Sequence, residues 1–416
     1  MKRRDFIAAA ASSAFVAAST AGCSLKSTLP DSRSLVDTSE KRKAYLEKML
    51  KALVTDLGPR WVGTPAMDRA TEIVRNELAL AMPVVQEDPI TFDRWELVGE
   101  PEFSVGGKKL EIYPSHGTGG TPPEGITGIL KKSETPQVAY DVVDRAGGAI
   151  LGRVVITPKE KATPRPYWFY DKETGGMPNV CVGKQDVPLL DAALADKTPV
   201  LMQYQVKFTP GKITTNVIGT LPGESAGEIV LYAHLDSVYN SPGANDNAAS
   251  LIMVLMLAHA FSGKRPKKTL TFTSTTGEEY GYLGSKRLAE QRKQAGTLNN
   301  IRFIFDFDSI TWGNDMTLIT EDEELASMLT DIDRTLNLPG TPQWRKGDGL
   351  GRETLPLKEA GLQARGIVVD SVPDNEINVL CWHRPDDKAD YIRFEPVDIA
   401  FRLFGELVNR LQTIPG

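Results

Sequence analysis

Residues 228–250 read E-I-V-L-Y-A-H-L-D-S-V-Y-N-S-P-G-A-N-D-N-A-A-S, and residues 269–279 read T-L-T-F-T-S-T-T-G-E-E. Ile229 to Ala233 is a short continuous apolar run, the signature of a strand buried on both faces. His234 and Asp236 leave its C-terminal end, the edge at which open α/β sheets place their ligands. Two apart on an extended segment, they point the same way. His234 can then take a metal while Asp236 orients the imidazole through its other nitrogen. The turn S-P-G-A-N presents Asp246 at the mouth of Ala248 to Phe261, which reads as a buried helix ended by Ser262-Gly263. A second strand, Thr269 to Thr275, delivers Glu278 and Glu279. Adjacent side chains diverge, so one carboxylate can bind metal while the other handles a proton.

Each phrase alone has an ordinary reading: a satisfied core histidine, a helix N-cap at Asp246, a solvated glutamate pair. Three such sites in order, in a chain with 4 histidines, favour a metal centre. H-L-D, G-A-N-D-N-A and G-E-E-Y-G-Y-L-G-S resemble the zinc aminopeptidase family that includes aminopeptidase Y and the glutamate carboxypeptidases. The resemblance runs from about Tyr45 to the end, more weakly in the middle third. It implies an α/β fold, a mixed, mostly parallel sheet sandwiched by helices, and a co-catalytic pair of zinc ions.

The N-terminus, M-K-R-R-D-F-I followed by an alanine-rich run, reads as an export signal over residues 1–22. Arg3-Arg4 with Phe6-Ile7 resembles a twin-arginine signal, and T-A-G-C resembles a lipoprotein box with Cys23 lipidated, although Thr20 replaces the usual aliphatic residue. The apolar core is too short and too rich in alanine to span a bilayer. The expected location is the periplasm or cell envelope, with Cys23 the sole link to the membrane. Residues 1–22 carry Lys2, Arg3, Arg4 and Asp5, so their removal takes the formal net charge from −6 to −8. With no basic stripe, nucleic acid is excluded as a partner class. Cys181 and Cys381 permit one disulfide but form no framework, and read as buried thiols.

The length suits two domains. Residues 23–40 read as a linker. Lys41 to Asp56 and Met67 to Met82 read as helices around G-P-R-W-V-G-T-P, which resembles the family's entry loop, and Val84 to Trp95 as a strand. Residues 41–97 and 209–416 are expected to form the catalytic domain. Glycine pairs and short β-type runs punctuate residues 98–208, with one helix at Asp186 to Ala195. An insertion here in the family is commonly a protease-associated domain. His116, in S-H-G-T-G-G, reads as an exposed loop residue, and His259 as a core or helix-surface one.

Farther on, Ile301 to Ile310 reads as a strand with Asp306 and Asp308 on one face. The family's motif register favours Asp308 as the ligand, with Asp306 where asparagine is usual. R-E-T-L-P-L-K-E-A-G-L resembles a segment that begins with Ser-Asp in the family, so Arg352-Glu353 is a departure that bears on the substrate pocket. N-V-L-C-W-H-R-P-D-D supplies His383, with Asp386 and Asp387 as supporting carboxylates. The resemblance then implies that Asp246 bridges two zinc ions, with His234 and Asp308 completing one and Glu279 and His383 the other. Imidazole and carboxylate without thiolate suit an open catalytic zinc site, and Glu278 is the general base. The expectation is an exopeptidase releasing N-terminal residues from peptides. The alternatives are a carboxypeptidase, a single-zinc glutaminyl cyclase of the same fold, or a non-catalytic envelope lipoprotein that binds partners.

Overall fold

A computed structural model describes residues 31–136, 138–146, 148–156, 163–166, 177–311, 316–339, 343–371 and 381–414. The expected export signal and Cys23 lie outside these residues. Among the described residues no helix is long and apolar enough to cross a membrane.

The strands are β1 Val84–Val105, β2 Lys108–Leu110, β3 Ile112–Pro114, β4 Ile126–Lys132, β5 Tyr140–Val143, β6 Ile150–Ile156 and β7 Asn179–Val182. They continue with β8 Val200–Leu221, β9 Ser225–His234, β10 Lys268–Thr275, β11 Ile301–Phe307, β12 Met316–Thr320, β13 Gln343–Lys346 and β14 Arg365–Ser371. The half expected from the sequence to be catalytic runs β13-β12-β14-β11-β9-β10-β8, with β1 on the far side of β8. At its centre β14, β11, β9 and β10 are parallel, while β8 and β12 join antiparallel. Ile229 to Ala233 is fully buried between β11 and β10, as its uninterrupted apolar run requires.

Helices cover both faces. Phe272, Phe305, Leu231 and Ala233 point into the larger core, which takes in helices Ser39–Leu50, Pro65–Ala81, Ala249–Phe261, Glu323–Leu336 and Phe394–Leu411. Helix Ala249–Phe261 is buried at every residue except Ala260, with Ser250 and His259 its only polar side chains. Val230, Tyr232 and Ile304 face a second cluster with Leu288 and Leu357 from helices Leu283–Gln294 and Leu355–Glu359.

The segment 98–208 builds its own core from Phe103, Tyr140, Val154, Val180, Leu190 and Tyr204. Its strands β4, β5, β6, β7 and β3 extend outward from β8. The boundaries differ from punctuation by loops: β1 and β8 run from one core into the other, paired from Val84↔Thr220 to Val105↔Val200, with register shifts between Phe92 and Arg94 and between Val98 and Glu102. Gly99-Glu100-Pro101 and Pro210-Gly211 stand at these boundaries, yet both strands carry on through them. The stretch read as linker is also docked from residue 32 onward. Val36 is 1% exposed, and the Ser32 amide donates to Ser262 Oγ at 3.1 Å.

Candidate metal centre

The turn after β9 is pinned from beneath by Arg60, a fully buried guanidinium. Its Nε donates to the Leu235 carbonyl at 2.8 Å, and Nη2 to that of Gly243 at 2.9 Å. Gly243 has φ +61°, and a Cβ there would lie 2.4 Å from the Asp246 carbonyl oxygen. No side chain fits this position. Asp387 then takes the Asn245 and Asp246 amides on its two carboxylate oxygens at 2.8 and 3.1 Å. Asp246 is thereby aimed by its own backbone, and the Asp246–Asn247 peptide is cis.

Asp246 faces two imidazoles. Its Oδ1 lies 3.3 Å from His234 Nε2, and its Oδ2 lies 3.3 Å from His383 Nε2. Asp308 Oδ1 stands 3.9 Å from His234 Nε2, and Glu279 Oε1 stands 3.3 Å from His383 Nε2. Two donor triads result, His234/Asp246/Asp308 and Asp246/Glu279/His383, each with ligand atoms within 4.8 Å of one another.

Both imidazoles are oriented by main-chain carbonyls. His234 Nδ1 is 3.0 Å from the Asp236 carbonyl oxygen, and His383 Nδ1 is 3.2 Å from that of Pro166. A carbonyl only accepts, so each Nδ1 carries the proton and each Nε2 is turned to the centre. This corrects the expected role of Asp236. Its carboxylate lies 3.8 Å from His234 Nδ1 and instead accepts the Glu278 and Glu279 amides at 3.2 and 3.1 Å. Asp236 thus ties the glutamate pair to the strand end carrying His234.

Burial and crowding set the proton affinities. Burial works to raise the Asp246 carboxyl, yet the two histidines outweigh it and hold it well below the ordinary range. Burial pushes Glu279 up to about 7 against the pull of His383. Glu278, half-buried and outside both triads, is raised well above its ordinary value, by burial first and then by Glu279, Asp308 and Glu353 against the opposing pull of His234. His234 Nε2 and Glu279 Oε1 are buried without a hydrogen bond among the described residues. Unsatisfied nitrogen and oxygen donors converging without sulfur fit zinc.

Asp308 and Asp306 separate cleanly. The strand ends at Phe307, and Asp308 leaves it with its amide donating to the Val369 carbonyl at 2.8 Å. Ser309 Oγ donates to Asp308 Oδ1 at 3.1 Å, and Arg352 Nη1 donates to Oδ2 at 3.0 Å. Asp306 is 1% exposed, belongs to neither triad, and is raised by burial and by Glu353 and Asp308. Arg352 also pairs with Asp370, so the departure from Ser-Asp grips a candidate ligand. Glu353 beside it is buried and pushed up to about 8, chiefly by burial.

Of the two carboxylates after His383, Asp387 holds the Asp246 turn, whereas Asp386 stays half exposed, 3.7 Å from Arg384. His116 is not the exposed loop residue its glycine-rich surroundings suggest. It is 8% exposed, edge-on to Trp61 and stacked on Tyr280 at 5.4 and 6.4 Å between centroids. His259 is a core residue bonded to Glu77, Tyr45 and Ser32. Cys181 and Cys381 are both buried and form no disulfide among the described residues. Arg60 and Pro166 were not singled out by sequence. Arg60 lies within the entry-loop phrase, which was its one available signal.

Residues 216–408 match the family model described as peptidase family M28. Aminopeptidase YwaD of Bacillus subtilis (strain 168) is 22% identical over 90% of this chain and 86% of its own. Carboxypeptidase Q of Bos taurus is 24% identical over 72% of each. The solved peptidase M28 precursor from Shewanella amazonensis SB2B shares the fold, with a TM-score of 0.73 at 16% identity over 92% of this chain and 97% of that one. Motif, sheet order and family match agree in likening residues 216–408 to peptidase family M28.

Proposed function

We propose that the chain is an exported, lipid-anchored exopeptidase that uses two zinc ions to release N-terminal residues from peptides. The observation that carries this reading is the pair of donor triads sharing Asp246, with Glu278 beside them and outside both. His234 and Asp308 would hold one ion, Glu279 and His383 the other, with Asp246 between. Bound there, zinc supplies Lewis acidity to the scissile carbonyl and to the attacking water. Glu278, its amide fixed by Asp236, accepts the water proton and returns it to the departing amine.

The choice of amino over carboxyl terminus follows the relative matched over 90% of this chain, which is an aminopeptidase, and the state of the arginine beside the site. Arg352, the cation nearest the Asp308 side, is already engaged by Asp308 and Asp370. Elemental analysis should return close to two zinc ions per chain. Aminoacyl-anilides should be cleaved, and N-blocked peptides with a free C-terminus should not. Turnover of the blocked peptides alone would move the reading to a carboxypeptidase. A single ion with peptidase activity intact would remove the two-ion mechanism.

A further inference from the structure

His383 comes from the catalytic half, yet the oxygen that orients it comes from the inserted segment, 217 residues away in the chain. That carbonyl belongs to the run Pro164-Arg165-Pro166, in which two prolines fix φ and restrict the residue between them. Arg384, the neighbour of His383, clamps the same run. Its Nη1 donates to the Pro164 carbonyl at 2.5 Å, and its Nη2 to Glu111 Oε1 at 3.0 Å. Arg165 is fully buried, with its guanidinium carbon 5.0 Å from the centre of the Trp382 ring. That ring in turn lies 4.3 Å from the His383 ring. A further tie sits alongside, where Tyr239 donates to the Pro114 carbonyl at 2.7 Å.

The contrast with the other imidazole is the informative point. His234 is oriented by a carbonyl two residues along its own strand end, so its geometry is set within the catalytic half. His383 has φ +57° and takes its Nδ1 acceptor from across the domain junction.

We propose that the inserted segment is a working part of the metal centre. By presenting the Pro166 carbonyl it fixes the Nδ1–H form and aim of His383, and so governs metal retention at the Asp246/Glu279/His383 triad but not at the His234/Asp246/Asp308 triad. Pro166 and Arg384 are positioning residues in this scheme. The inference rests on the two-zinc reading above and extends it by giving the insert a role. Loss of such an outer partner typically weakens metal affinity about 10- to 100-fold.

The test compares zinc release to a chromogenic chelator in the full-length parent, Arg384→Met and Pro166→Gly. The first variant severs the clamp, and the second frees the φ that aims the carbonyl. One of the two ions should leave about 10- to 100-fold more readily in each variant, while the other keeps its parental rate. Asp308→Asn, which acts on the other triad, should loosen the complementary ion. If one variant fails to fold, the other carries the comparison. Equal loosening of both ions would mean general destabilisation and would overturn the proposal, as would parental retention of both. A parent binding fewer than two ions would instead strike the two-zinc reading itself.

Discussion

Replacing Glu278 with glutamine isolates proton transfer from metal holding. Glu278 stands outside both donor triads, whereas Glu279 Oε1 lies 3.3 Å from His383 Nε2. Glu278→Gln keeps the amide that Asp236 accepts and nearly the same volume. It removes a general base, which typically contributes about 10²–10⁴ in rate, or roughly 2.7–5.5 kcal/mol of barrier. The stability effect has a definite sign. The folded state raises the Glu278 carboxyl above its ordinary value of 4.5, so it favours the neutral form and is penalised as pH rises past 4.5. The neutral amide removes that penalty, and the metal-free variant should melt at or above the parent at pH 7. The measurements are kcat on an aminoacyl-anilide, zinc content, and metal-free Tm. Glu279→Gln, the control, should lose zinc as well as rate. Zinc loss confined to Glu278→Gln, or turnover within about tenfold of the parent in that variant, would refute the division of labour.

Asp308→Asn should lose zinc and activity heavily. Asp306→Asn should stay near the parent in zinc content, the two positions being about 6–7 Å apart along the strand direction. Burial works to raise Glu77, but bonds from His259, Lys48 and Tyr45 outweigh it and hold it at about 2. It therefore adds stability above pH 4.5 that is lost as pH falls toward 2, and Glu77→Gln should flatten that acid limb in urea titrations. Gly243→Ala forces a left-handed residue whose Cβ meets the Asp246 carbonyl at 2.4 Å. It should cost more than about 1 kcal/mol in urea unfolding and lower zinc content.

What the sequence reveals and what it hides follow from the range of the interactions. His234, Asp246, Glu278 and Glu279 are legible because strand ends and a turn present them within one unit, so local pattern and final placement coincide. Asp308 needed motif register, since two aspartates share one face and only the strand's end at Phe307 separates them. Asp236 was misassigned because side-chain direction on a strand says nothing of the carbonyl two residues on. His116 looked exposed because its neighbours are glycines and threonine, while its burial comes from Trp61 and Tyr280, distant in sequence. Pro166 acts through a main-chain oxygen, which no residue type advertises.

The long pair β1 and β8 also bears on the order of assembly. Its ladder stretches from Val84↔Thr220 to Val105↔Val200, so its inner end closes a loop made of the whole insert. Closing a loop of that length in an unfolded chain costs about 4 kcal/mol beyond the fixed part of the closure term. A folded insert has already brought Val105 and Val200 side by side, and the ribbon can then zip outward to its last rungs beside helix Pro65–Ala81. The insert would therefore condense first, with the parallel strands β9, β10 and β11 waiting on β8 as their template edge. Such long-range pairing makes for slow folding.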